Sequence, residues 1–281
     1  MTSIDVDSEL SYDCAFDTTF LFQVAVMANA HQRIVDESLA LEPASGEPLS
    51  LNELPIDGEG NRRHRLVAPP GPFTLRYRAR IELEQEEADP SSLDEKAYAD
   101  LPADVLPYLN PSRYCESDRL VALAWDEFGH LPPGHGRVQA IVDWVNRTLS
   151  YAPGSTGPST TACDVLLQRT GVCRDYAHVV IALCRSLGVP ARYVSGYAVD
   201  LQPPDFHGFT EAWLGGDWFL FDATRLAPLS GLVRIGVGRD AADVSFATLI
   251  GKAISQPPLV KAVLAGDGAT SGNAGGALSS A

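Results

Sequence analysis

The sequence has few cysteines, no CxxC pair and no long apolar run. Its five cysteines are Cys14, Cys115, Cys163, Cys173 and Cys184. An odd, widely spaced set is typical of neither a zinc ribbon nor a disulfide framework, so each cysteine must serve packing or chemistry. The first residues lack the positive and apolar segments of a secretory signal, and the apolar stretch 20–30 is too short to span a bilayer. These absences predict a cytoplasmic protein that does not contact the membrane.

Positive charge is also scarce in this chain. It has 21 Lys and Arg against 36 Asp and Glu, which gives a formal net charge of −15. A chain this acidic repels phosphate backbones, and its densest basic cluster, at 62–65, is short and has no interleaved aromatic residues. We therefore expect no nucleic-acid partner. The 281 residues, 45% of them hydrophobic, suffice for one large domain or two modest ones.

Changes in residue pattern predict the domain organisation. Residues 1–88 contain short alternating runs such as FTLRYRARIEL, separated by Pro and Gly clusters, which is typical of an antiparallel β domain. Residues 89–112, with acidic residues and several prolines, indicate a linker. Residues 113–264 change to helical spacing and are expected to form a second domain. The Gly-, Ala- and Ser-rich stretch 265–281 predicts a disordered tail.

The second domain is predicted to contain helices first and strands afterwards. The apolar spacing and the turn residues predict helices at 119–128, 137–149, 161–168 and 172–187. Alternating and apolar runs predict strands at 191–199, 209–214 and 218–221. This order indicates an α+β fold.

The first candidate for chemistry is Cys173, in the string TGVCRDYAH. Gly171 permits a tight turn, which puts Cys173 in the first turn of the following helix. A thiol there is close to unpaired backbone N–H groups and to the positive end of the helix dipole, and both favour the thiolate. The same N–H groups can stabilise an oxyanion that forms when the sulfur attacks a carbonyl. Cys173 is therefore a candidate nucleophile.

Two further candidates follow at the ends of neighbouring strands. His207 begins a strand 34 residues after Cys173, and Asp222 ends the next strand 15 residues later. A hairpin would bring the two side chains together, so that Asp222 holds the imidazole through its Nδ1–H while the ring faces the thiol. Asp222 could instead only cap a turn with Thr224, and His207 could be a structural histidine.

The string GVCRDYAHVVIALCRSLGVPARYVSGY, the histidine at 207 and the FDAT at 221–224 resemble the transglutaminase-like superfamily of papain-type folds. More narrowly, the chain resembles bacterial transglutaminase-like proteins that carry an N-terminal β domain and are described as cysteine proteases. The resemblance implies a papain-like core after the antiparallel β domain. It also implies that Cys173 is the nucleophile, His207 the general base and Asp222 the orienting acid.

Two positions depart from the family pattern. The family often has Asp-Pro-Thr where this chain has Asp222-Ala223-Thr224, and often has a Trp where Phe209 stands. Neither change removes a catalytic atom, although both alter the shape of the pocket.

Other residues compete with these assignments. Cys163 also begins a predicted helix, but no glycine turn precedes it and no family motif falls on it. Cys14, Cys115 and Cys184 are expected to be packing residues. His178 lies five residues after Cys173, about 140° round the helix, and is expected to have a structural role. The segment 236–246 is expected to cross the surface and not to cover the cleft.

These residues predict a cysteine-dependent enzyme that hydrolyses amide or peptide bonds through a thioester. Two alternatives remain open, a transglutaminase-type transfer of the acyl group to an amine and a binding module that has lost its activity. The chemistry needs no cofactor and no metal. The expected partner is a peptide, protein or small amide substrate, and the oligomeric state cannot be predicted.

Overall fold

The computed structural model describes residues 1–44, 46, 48–266 and 276–280. Its first part consists of strands β1 (Thr2–Cys14), β2 (Thr18–Phe22), β3 (Gln32–Pro43), β4 (Leu51–Glu53), β5 (His64–Ala68), β6 (Gly71–Leu83) and β7 (Glu86–Ala88). The alternating run in β6 buries every second side chain, as its period of two predicts. Residues 1–88 are thus built from antiparallel strands, in agreement with the sequence.

Helices and further strands alternate in the second part. The helices are α1 (Val121–Phe128), α2 (His135–Thr148), α3 (Ala162–Gln168) and α4 (Cys173–Ser186). The strands are β8 (Ser150–Tyr151), β9 (Thr170–Gly171), β10 (Ala191–Ala198), β11 (His207–Leu214), β12 (Asp217–Phe221) and β13 (Leu232–Gly238). Each predicted helix and strand of this region is present, with ends shifted by a few residues. None of the helices in the described ranges is long and apolar enough to cross a membrane.

A central antiparallel sheet positions the candidate site. Its strand order is β12-β11-β10-β13, and α4 packs against β10 and β11. The apolar side of α4 and residues of this sheet form one buried core with the other helices. The start of α4 and the start of β11 therefore meet at one end of the sheet. This arrangement confirms the α+β fold that the sequence predicts.

The remaining strands return to the first part of the chain. They are β14 (Ala247–Ile250), β15 (Ala253–Ser255), β16 (Leu259–Leu264) and β17 (Ala277–Ser279). Strands β15 and β16 pair with β1, in the sheet of order β15-β1-β6-β3, and β14 pairs with β2, in the sheet of order β14-β2-β5-β4. Residues 247–264 thus complete the N-terminal sheets, whereas the sequence assigned them to the second domain. Local patterns do not reveal pairing across such a sequence separation.

The N-terminal sheets and the central sheet share a core. Tyr197 of β10 is fully buried among N-terminal side chains, and its hydroxyl group donates to the carbonyl of Val24 at 2.8 Å. The same hydroxyl lies 2.9 Å from the Ser8 Oγ. Phe206 and Ile235, which reach the candidate site, belong to this core as well. The N-terminal sheets therefore support one wall of the site.

The predicted linker and tail also contain ordered contacts. Within 89–112, Leu101, Val105 and Tyr108 are buried with Trp218 in a small apolar cluster. Short 3-10 turns between the prolines of this stretch have no helical period, so the sequence pattern did not reveal them. At the other end of the chain, β17 pairs with β7. The rest of the predicted tail, 267–275 and 281, lies outside the described residues.

Candidate active site

Cys173 is the first residue of α4, and the neighbouring Gly171 and Asp175 shape the start of this helix. The carboxylate of Asp175 accepts the backbone N–H of Val172 at 2.9 Å and so caps the helix. A side chain at Gly171 would place its Cβ 2.7 Å from the Asp175 Cβ, so this position requires glycine. The cap fixes the first turn, where Cys173 is only partly buried.

Arg174 joins this helix start to the preceding loop. Its Nε and Nη2 donate to Asp175 Oδ1 at 3.1 and 2.9 Å, and Nη2 also donates to the carbonyl of Gly157 at 3.0 Å. Asp175 is fully buried and also accepts the hydroxyl of Thr156. Since the guanidinium is occupied in this way, Arg174 holds the cleft wall and offers little free charge to the cleft.

The structure brings His207 and Asp222 together. His207 Nε2 lies 2.7 Å from Asp222 Oδ2, and both side chains are almost completely buried. The nitrogen is the opposite of the predicted one, because the ring at the start of β11 turns Nε2 towards the end of β12. Asp222 Oδ1 accepts both the N–H and the hydroxyl of Thr224, at 2.8 and 2.7 Å. The turn-capping role and the histidine-orienting role of Asp222 are therefore combined in one carboxylate.

The pKa shifts of His207 and Asp222 indicate that the two side chains form an ion pair. Burial alone would lower the pKa of His207, but the charge and hydrogen bond of Asp222 and the nearby Cys173 sulfur outweigh it and raise this pKa to about 10. Burial likewise acts to raise the pKa of Asp222, yet His207 and Thr224 together hold it below its ordinary value. The protonated ring and the carboxylate stabilise each other.

Cys173 lies near the start of β11, close to His207. Its Sγ is 3.9 Å from the carbonyl oxygen of Phe206, the residue before His207. Within the described residues, the buried Nδ1 of His207 has no hydrogen-bond partner at ordinary distances. The Cys173 sulfur nevertheless contributes to the raised pKa of His207, so the thiol and the ring are in electrostatic contact. The three sequence candidates thus form one cluster.

Tyr151 is a further polar residue of this cluster. It ends β8, which pairs in parallel with β9 just before Cys173. Burial raises the pKa of Tyr151, the Cys173 sulfur raises it further, and a hydrogen bond from the Cys173 N–H opposes both. The Tyr151 side chain therefore lies beside the Cys173 thiol.

Cys173 and His207 open into a cleft of about 390 Å³. Phe206 and Phe246 stack in one wall, with ring centroids 4.9 Å apart. Val244 and Phe246 both line the cleft, so the segment 236–246 contributes to it and does not merely cross the surface as expected. The pattern of that loop could not indicate which side it faces.

The competing cysteines differ from Cys173. Cys14, Cys115 and Cys184 are buried, as predicted for packing residues. Cys163 is partly buried, and burial together with the negative charge of Glu116 raises its pKa to about 11. A thiol with this pKa is a poor nucleophile at neutral pH.

His178 is structural, as expected. Its Nε2 accepts the N–H of Ala241 at 3.1 Å, and its ring stacks on Tyr114 with a centroid distance of 5.1 Å. Burial lowers its pKa to about 3, so the ring is neutral. In the described part of the chain, no group of three or more His, Cys, Asp or Glu side chains could hold a metal ion.

Comparison with known proteins identifies a family for this chain. Residues 126–223, which include all three candidates, match the family model of the Transglutaminase-like superfamily. A solved structure from Cytophaga hutchinsonii, described as a putative cysteine protease, is similar to this chain with a TM-score of 0.93 and 40% identity, over 99% of this chain and 97% of that one.

Curated relatives are found in mycobacteria. An uncharacterized protein of Mycobacterium leprae is 34% identical over 149 residues, which are 49% of this chain and 52% of that protein. An uncharacterized protein of Mycobacterium tuberculosis is 33% identical over 130 residues, 40% of this chain and 41% of that protein. The chain thus matches about half the length, or less, of these curated relatives.

Proposed function

The chain belongs to the transglutaminase-like superfamily, and from this we propose that it is a cysteine-dependent acyl-transfer enzyme that hydrolyses amide or peptide bonds. In this proposal Cys173 is the nucleophile, His207 the general base and Asp222 the group that orients the ring. One observation carries the proposal: the 2.7 Å contact of His207 Nε2 with Asp222 leaves Nδ1 for the thiol. A carboxylate that holds the far nitrogen of a histidine is the arrangement that activates a thiol.

In the reacting form, the proton of the Cys173 thiol is already on His207 Nδ1, so that a thiolate faces the protonated ring. The thiolate then attacks the carbonyl carbon of the substrate, and the carbonyl oxygen becomes an oxyanion. The N–H of Cys173 and the hydroxyl of Tyr151 lie beside the thiol and are the donors proposed for the oxyanion. His207 returns its proton to the leaving amine, the C–N bond breaks, and a thioester on Cys173 remains.

Water or an amine can resolve this thioester. In hydrolysis, His207 removes a proton from water, which attacks the thioester and releases the acid. We favour hydrolysis because water needs no acceptor site of its own. Transfer to an amine is the second candidate, since the same three groups support it equally. The paired His207 and Asp222 argue against a module that only binds.

Several expectations from the sequence remain part of the proposal. The substrate is a peptide, a protein or a small amide, and nucleic acid and membrane are not partners. All five thiols are unpaired, which supports the proposed reducing, cytoplasmic environment.

Trapping of the acyl-enzyme tests the proposal. An activated aryl ester should acylate Cys173 stoichiometrically, with the adduct located by peptide mass spectrometry. Cys173→Ala should abolish the adduct and keep the fold, while Cys163→Ala, the matched control, should leave it unchanged. Added primary amines separate the two candidates, because a transferase yields the amide product and a hydrolase yields the acid. An adduct that persists in Cys173→Ala overturns the mechanism.

A further inference from the structure

The cleft beside Cys173 is mostly apolar but contains a few charged groups. Phe206, Phe246, Val244 and Ile235 supply apolar surface on the side formed by the N-terminal core and the segment after β13. Such a surface fits the hydrocarbon part of a substrate but does not distinguish one amide from another. Specificity must therefore come from the charges that face the same cavity.

The charges of the cleft do not balance. Two cations line it, and each is bound to its own carboxylate: Arg174 to Asp175 and His207 to Asp222. A third carboxylate, Asp205, faces the same cavity. Within the described residues it forms no ion pair, and its hydrogen bond is to the backbone N–H of Phe206 at 2.7 Å. Burial raises the pKa of Asp205 and the charge of His207 acts against this, but no side chain within the described residues binds the Asp205 carboxylate directly.

The position of Asp205 is close to the reaction centre. It precedes His207 by two residues in the chain, and electrostatic interactions link it to both His207 and Tyr151, which each interact with Cys173. Lys261 lines a neighbouring cavity of about 370 Å³ that also reaches Asp205, but the two form no ion pair within the described residues. A carboxylate at this place attracts a cationic group that enters the cleft.

We infer that Asp205 is a specificity-determining residue that binds an ammonium or guanidinium group of the substrate, next to the scissile carbonyl. The inference rests on the proposed function, because it names the substrate class for the same site. It requires a substrate with an apolar part against the stacked phenylalanines and a cation beside them. The cation belongs either to the acyl donor or to an amine that accepts the acyl group.

Thiol reagents of different charge test this inference without any turnover. The three reagents are aminoethyl methanethiosulfonate, which is cationic, the neutral methyl compound and the anionic sulfonatoethyl compound. In each case the Cys173 thiolate attacks the sulfenyl sulfur and displaces methanesulfinate. The product is a mixed disulfide on Cys173. Asp205→Asn should lower the ratio of the cationic to the anionic rate at Cys173 by about tenfold at low salt. Asp200→Asn removes the same charge from the same loop, outside the cleft, and should leave the ratio unchanged.

The outcomes distinguish failure of the proposed role of Asp205 from failure of the proposed function. An unchanged ratio in Asp205→Asn, or an equal change in Asp200→Asn, overturns the role of Asp205 and leaves the enzyme mechanism intact. A Cys173 that is inert to all three reagents in the wild-type protein overturns the proposed function and this inference with it.

A second measurement locates the cation. If it belongs to the acyl donor, Asp205→Asn lowers kcat/KM for a cationic amide and not for a neutral amide of equal size. If it belongs to the acceptor, the variant lowers the share of amide product formed with an added amine. The inference is contradicted if Asp205→Asn slows the reactions of cationic and neutral substrates equally, both in hydrolysis and in transfer to an amine.

Discussion

His207 directs its Nε2 at the carboxylate of Asp222, 2.7 Å away, and leaves its buried Nδ1 without a hydrogen-bond partner among the described residues. This orientation is opposite to the one expected from the sequence, but it serves the same chemistry. Nδ1 lies nearer to the backbone than Nε2, so a thiol at a helix start must come close to the first residues of β11. The contact of the Cys173 sulfur with the carbonyl of Phe206 meets this requirement.

The ion pair predicts how stability depends on pH. Because the pKa of His207 is raised to about 10, its contribution to the free energy of unfolding is complete below its ordinary value of 6.5 and is lost as pH rises through about 10. Because the pKa of Asp222 is lowered, its contribution is present above its ordinary value of 3.8 and is lost as pH falls below that value. The free energy of unfolding of the wild type, measured in urea, should therefore decrease at both acid and alkaline pH.

Asp222→Asn isolates this effect. The variant should remove most of the alkaline decline between pH 6.5 and 10, because an uncharged amide no longer stabilises the protonated ring. Parallel curves for the variant and the wild type over this range would show that the two side chains do not form an ion pair in solution.

Thr224 should act on catalysis through Asp222. Its N–H and hydroxyl both bind Asp222 Oδ1, and hydrogen bonds to charged groups contribute about 1.5–3 kcal/mol. Thr224→Val should lower kcat about tenfold or more with little change in KM, while Thr224→Ser should retain most of the activity. Equal kcat values for the valine and serine variants would exclude a positioning role for the hydroxyl.

Asp175 should matter for stability more than a surface helix cap does. Its buried carboxylate caps α4 and binds Arg174, and removal of one partner of such a pair costs about 3–5 kcal/mol. Asp175→Ala should therefore lower the free energy of unfolding by about 3 kcal/mol. Asp164 caps α3 in a more exposed setting, so Asp164→Ala should cost about 1 kcal/mol. Equal losses in urea titrations would contradict this difference.

Gly208 should tolerate no side chain while Tyr193 is present. A Cβ at this position would lie 2.2 Å from the Tyr193 hydroxyl oxygen and 2.9 Å from the ring carbon that carries it. Gly208→Ala should destabilise the protein by about 1–3 kcal/mol, as overpacking does. Tyr193→Phe in the same chain should restore part of the loss, because the oxygen is the nearer obstacle. Strictly additive effects of the two changes would contradict the contact.

Local patterns predicted much of this fold because its elements are strongly periodic. The apolar spacing before and after Gly171 gave α2 and α4, and the alternating run at 73–83 gave β6. The return of residues 247–264 to the N-terminal sheets was not predicted. Strand pairing over more than two hundred residues depends on the whole fold, and a local period carries no record of it.

The candidate site, like the fold, was predicted from the sequence only in part. Cys173, His207 and Asp222 were found from residue type, spacing and resemblance, because each stands at the end of a predictable element. The nitrogen that faces Asp222, the place of Tyr151 and the position of Asp205 in the cleft depend on side-chain directions in three dimensions. The buried network of Glu211 with Arg192 and Arg234 was missed for the same reason, since nothing in an alternating strand marks an inward-facing ion pair.

In the proposed mechanism, Cys173 is the activated thiol. The most direct test is the pH dependence of iodoacetamide alkylation, followed at each of the five cysteines by mass spectrometry. We predict that Cys173 reacts far faster than the other four at neutral pH, and that His207→Gln removes this advantage. A Cys173 that reacts no faster than the partly buried Cys163, or whose rate His207→Gln leaves unchanged, would contradict the account.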